Sequence, residues 1–101
     1  MKLILELAIS LNKDDMGQVI LNKCYEYDSM PCAITKDVEI DDPAWGTPLK
    51  IDIVTFDPVG NILIVYLETQ DMDTESARQK ITEKCLLNGW LERDMFRGIN
   101  R

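Results

Sequence analysis

The 101-residue chain contains no histidine. That removes the commonest general base and the commonest transition-metal ligand together, so no Ser-His, Cys-His or zinc constellation can be assembled. Glycine-rich phosphate loops are missing as well, with neither GxxxxGK[ST] nor GxGxxG in the chain. Cysteine is scarce: Cys24, Cys32 and Cys85 include no pair at the two-residue spacing of a zinc knuckle or a thioredoxin-type site. The simplest expectation is three reduced thiols, Cys24 and Cys85 packing as small hydrophobes. Cys32, beside Pro31, would need a nearby cation or helix N-terminus to become reactive, and the sequence supplies neither.

Long apolar runs are also lacking. Nothing approaches the ~20 apolar residues of a membrane-spanning helix. The opening MKLILELAISL is interrupted by Glu6, and no small-residue cleavage site follows it. An intracellular, cytoplasmic protein without a membrane segment is expected.

Basic residues nearly vanish from the middle of the chain. Residues 37–75 carry ten acids and one base, Lys50, a balance of −9, whereas residues 76–101 carry three acids and six bases. The whole chain stands at −7. Such a field aids solubility, and it can steer basic partners or repel nucleic acid.

What is present is the composition of a globule: 46% apolar and 29% charged residues. A single domain over 1–101 follows from the length, with enough surface buried for one core. Residues 2–9 alternate, with Leu3, Leu5, Leu7 and Ile9 at the odd positions, which predicts a strand with one buried face. Over 14–28, Met16, Val19, Ile20, Cys24 and Tyr27 recur at threes and fours behind Asp14 and Asp15, which predicts a helix. Gly17 and Tyr25 weaken that reading, and a strand over 18–27 is the alternative. Pro31, Pro43, Gly46 and Pro48 punctuate an irregular segment at 29–48, with a short strand around Val38–Ile40. Leu49, Ile51 and Ile53 alternate with Lys50 and Asp52, and the turn Asp57–Asn61 then reverses the chain into Ile62–Thr69, a hairpin. At Val54 and Phe56 the outward side of that hairpin turns apolar too. A second helix is predicted over 74–88, capped by Asp73 or Thr74 and stopped at Gly89, with Ala77, Ile81, Cys85 and Leu86 on one face. Trp90, Leu91 and the residues to Phe96 follow as a last short strand or an added helical turn.

The predicted order is β-α-β-β-α-β. It corresponds to a ferredoxin-like α+β fold (split βαβ): an antiparallel sheet, two helices on one face, and an insertion at 29–48. In that topology strands 2–9 and 62–69 lie side by side.

Two acidic groups are candidates for ion binding or for a charged surface. Asp71 and Asp73 alternate as in calcium loops, but the glycine and the closing glutamate of an EF-hand are missing, and helix capping explains them better. Glu39, Asp41 and Asp42 read as the wet face of a short strand. No metal site and no cofactor are expected. Trp45, in a Pro- and Gly-flanked loop, either folds back onto its own domain or anchors a partner. RNA-binding domains of ferredoxin-like type need aromatics on the central strands and basic surroundings; here Tyr66 stands alone and the charge has the wrong sign. Arg93, Arg97 and Arg101, spaced by four, form the one basic group.

With no catalytic constellation, the expected function is non-enzymatic: an interaction or regulatory domain acting through protein–protein contacts, mainly with itself. Trp45, Phe56, Ile62, Ile64 and Tyr66 are the candidate interface, because two helices cover one face of a small sheet and leave the other bare. Two alternatives are an acidic inhibitor of mobile-element type that mimics nucleic acid and occupies a basic protein, and a small-ligand or metal-responsive sensor. Nucleic-acid binding is disfavoured.

Overall fold

Odd-numbered leucines and isoleucine at the start of the chain set the first layer. The computed structural model describes residues 1–29 and 33–93, residues 14–16 by their backbone alone. In β1 (Lys2–Leu11) the side chains of Leu3, Leu5, Leu7 and Ile9 are buried, Ile9 completely. A two-residue turn at Asn12–Lys13, both at positive φ, returns the chain antiparallel as β2 (Asp14–Glu26). β3 (Glu39–Ile40) pairs with β4 (Leu49–Asp57), and β4 turns into β5 (Ile62–Leu67). In that turn Asp57 Oδ1 accepts from the backbone N–H groups of Val59 and Gly60, and Asn61 takes the positive φ that closes it.

β5 lies parallel to the first half of β1, and β6 (Gln70–Met72) continues parallel to its second half. Helix α1 (Glu75–Leu87) then crosses to β7 (Leu91–Glu92), which pairs with β2. The strand order is β3-β4-β5-β1-β2-β7. Among the described residues this is a mixed, curled seven-stranded half-barrel with one helix.

The ferredoxin-like α+β expectation is therefore overturned. Among the described residues strand predominates, the sheet is mixed rather than antiparallel, and one helix is present where two were predicted. The error lies in residues 14–28. They form β2, whose inward row opposite β1 is Val19, Leu21, Lys23 and Tyr25. A lysine in that row breaks the apolar alternation, and the remaining apolar residues then fall at helical spacing by coincidence. Side-by-side placement of residues 2–9 and 62–69 does occur, as the parallel β1–β5 pair.

β4 also explains why both of its faces read as apolar. Its register with β5 shifts between Ile51 and Ile53. This bulge moves the inward side from odd to even positions: Leu49 and Ile51 point in before it, whereas Val54 and Phe56, opposite Val65 and Leu63, point in after it. Ile53 is turned outward, opposite Tyr66.

Helix α1 closes one end of the concave side. Thr74 accepts from Ala77 N at 3.1 Å as the N-cap, and Gly89, at φ +91°, permits the stop. Thr82 and Cys85 are buried, and Ala77 and Ile81 partly so. The other end is closed by the 41–48 loop, part of the segment read as irregular, which runs from the β3–β4 edge across to β2 and β7. Within the described residues, no helix is long and apolar enough to cross a membrane.

Candidate functional site

Two groups of residues stand out, one on each face of the sheet. On the concave face, Lys23 Nζ lies 2.8 Å from Asp42 Oδ2. Asp42 Oδ1 accepts from Ala44 N at 2.9 Å and from Trp90 Nε1 at 3.3 Å. Trp90 packs on Trp45 with ring centroids 5.2 Å apart, and Trp45 Nε1 donates to the Ile40 carbonyl. The lysine ammonium also sits 5.6 Å from the Tyr25 ring centroid and 5.9 Å from that of Trp90, within cation–π range.

Burial pushes the Asp42 carboxyl up, but hydrogen bonds from Lys23, Ala44 and Trp90 outweigh it and hold the pKa low. Burial likewise pulls Lys23 down, and its contacts with Asp42 and Tyr25 reverse that and leave it raised. Both groups are thus held charged. With its lone pairs engaged on three donors, Asp42 is a structural acceptor and not a free base.

The convex face is different. The sheet register assembles its side chains into rows. One row runs Thr55, Ile64, Ile4 and Cys24. The next runs Ile53, Tyr66, Glu6, Asn22 and Leu91. The row on the other side runs Asp57, Ile62, Lys2 and Glu26. Beyond them Ala8 faces Ile20. Ile53 is 54% exposed and Leu91 51% exposed, and Ile4, Ile20, Ile62, Ile64 and Tyr66 are each partly exposed. None of these belongs to the core cluster or packs against it. Helix and loop both lie on the concave side, so among the described residues nothing covers this face.

The residues singled out in the sequence separate accordingly. Ile62, Ile64 and Tyr66 come together on the convex face. Phe56 does not join them, because the bulge turns it to the side of Leu63, where it remains 50% exposed near the hairpin end. Trp45 is 9% exposed and part of the core, so the fold-back reading describes it and the partner-anchor reading does not. Glu39 and Asp41 are exposed, but Asp42 is buried, which removes it from any acidic surface.

Asp71 is exposed and accepts from Ser10 Oγ at 2.7 Å and Lys13 N at 2.6 Å. These bonds hold its carboxyl below the usual range and fasten the β1–β2 turn to β6. Asp73, exposed, immediately precedes the Thr74 cap. Cys32, Arg97 and Arg101 lie outside the described residues. Among the described residues no group of three or more acids and cysteines could hold a metal ion.

Ile4, Ile20, Ile53 and Leu91 were missed as members of the face. Lys2 and Glu6 mark the even side of β1 as wet and so conceal Ile4 between them and Ala8 beyond. The bulge conceals Ile53. No protein-family model, curated protein or solved structure matches the chain.

Proposed function

We propose that the protein is a non-enzymatic interaction module that associates with a second copy of itself through the convex face of its sheet. One observation carries this reading: Ile53 on β4, Ile62, Ile64 and Tyr66 on β5 and Ile4 on β1 adjoin across three neighbouring strands, on a face that neither the helix nor the 41–48 loop covers. Apolar patches of this kind on a small domain mark interaction surfaces, and two sheets packing through such faces make a common dry interface.

Three rows across four strands have a planar footprint of roughly 400 Å² by strand and residue spacing. That is below the ~800 Å² per partner of a standard stable interface. A dimer dissociating in the micromolar range is the expected form. Sedimentation equilibrium from 1 to 100 μM, as a range of about two decades around that constant, tests it. A mass rising from monomer to dimer supports the reading, and Ile64→Glu should abolish the rise while leaving the circular dichroism unchanged. A monomer throughout would overturn it.

A further inference from the structure

Self-association through the convex face leaves open how the two copies align, and the charges on β1 decide this. Lys2 and Glu6 flank Ile4 on the convex side of the central strand. Among the described residues neither makes an ion pair. We infer that Lys2 of each copy pairs with Glu6 of the other, about a two-fold axis that crosses the strands at Ile4; this rests on the self-association proposed above.

An axis lying in the interface and perpendicular to β1 reverses the strand direction of the second copy. β1 then lies over β1, with Ile4 on Ile4 and Lys2 on Glu6 at both ends. The same operation places the whole Lys2 row over the Glu6 row. Ile62 meets Tyr66, Glu26 meets Asn22, and Asp57 meets Ile53 at the rim. The middle row, Thr55, Ile64, Ile4 and Cys24, lies over itself. Ile4, Ile62, Ile64 and Tyr66 thus all meet apolar residues, and Lys2 and Glu6 meet their opposites; the exception is the rim pair of Ile53 and Asp57. The ~30° angle usual between packed sheets moves Lys2 off Glu6 by only about 3–4 Å at that radius, which a lysine side chain spans.

The other alignments are worse. An axis running along β1 would stack Glu6 on Glu6 and Lys2 on Lys2, a like-charge arrangement that interfaces select against. An axis between β1 and β5 would press Lys2 onto Ile62 and Glu6 onto Tyr66, burying both charges without partners.

Charge exchange tests the alignment. Lys2→Glu and Glu6→Lys should each weaken dimerisation by about tenfold or more, since each puts like charges together. The double variant K2E/E6K restores the pairing and should return to within about threefold of the unchanged protein. Cys24 supplies a second readout that needs no change on β1. In a Cys32→Ser background, a short bis-maleimide should link Cys24 to Cys24 of the second copy, because the two face each other across the ~10 Å that separates packed sheets. Restoration by the double variant together with the Cys24 cross-link supports the inference. Dimers that form normally but show neither would overturn this alignment while leaving self-association intact. A protein monomeric at every concentration overturns both.

Discussion

Asp42, from the 41–48 loop, reaches across the concave side of the sheet to bind Lys23 on β2, and Trp90, itself packed on Trp45, lies against the pair. The contact joins the β3–β4 edge of the sheet to the β2–β7 edge. It therefore links two edges of the sheet and does not merely fix a loop.

Removing one partner of a buried ion pair leaves the other charge unsatisfied. Asp42→Ala should cost about 3–5 kcal/mol, because it also strands the Ala44 N–H and the Trp90 Nε1–H. Lys23→Met and Asp42→Ala together should cost less than the sum of the two, by about 1 kcal/mol or more. Urea unfolding midpoints for the four proteins measure the difference.

The pH profile follows from the same groups. Asp42 and Asp71 have folded pKa values below their ordinary value of 3.8. Their contribution is present above that value and is lost as pH falls through the lower, folded one. Lys23 is raised above its ordinary 10.5, so its contribution is complete below 10.5 and lost as pH climbs through the raised value. Burial pushes the Cys85 thiol up from 9.0 to about 11, which removes stability progressively between those two values. With no histidine, Tm should be flat from about pH 5 to about pH 9 and fall on both sides. Asp42→Asn should blunt the acid limb, as read by thermal unfolding at closely spaced pH values.

How much of this could be read beforehand depended on whether a side chain behaves as its type suggests. β1, the β4–β5 hairpin and helix α1 with its Thr74 cap and Gly89 stop were legible, because there the apolar period, the turn chemistry and the caps agree. β2 was not. Lys23 points into the core and is kept there by an aspartate 19 positions away, a compensation that no local pattern records. Phe56 and Ile53 exchanged faces through a one-residue bulge, which period-two reading cannot register. That Ile62, Ile64 and Tyr66 share one face was legible for the plain reason that they sit at alternate positions of one strand. For Trp45 the sequence offered two destinations, fold-back and partner anchor, and tertiary contacts select the first.

The β1–β2 turn carries a strain that substitution can release. Lys13 sits at φ 60°, which costs a residue with a Cβ roughly 1–2 kcal/mol. Lys13→Gly keeps the N–H that donates to Asp71 and should raise stability by something under about 1 kcal/mol, after the glycine's own entropy cost. A shift of the urea midpoint to higher concentration, at unchanged slope, is the expected result.

The two described thiols should separate by accessibility. Cys24 is exposed and Cys85 is completely buried, with its thiol held protonated by burial. In a Cys32→Ser background, and at a concentration low enough to keep the protein monomeric, a disulfide reagent at pH 8 should titrate one thiol rapidly in the native protein. The second should appear only on addition of denaturant, at the rate of global unfolding.

The parallel pairing of β1 with β5 ties Lys2 to Ile62, and the continuation through β6 ties Leu11 to Met72. On the ribosome the N-terminal hairpin therefore emerges long before the strands that flank it exist. Leu3, Leu5, Leu7 and Ile9 wait in a nascent chain with one open strand edge until some sixty more residues have been added, several seconds at about 5–20 residues per second. Contacts this distant also slow folding once synthesis is complete. The interval exposes the chain's most adhesive segment, and chaperones that bind extended apolar stretches should find it there.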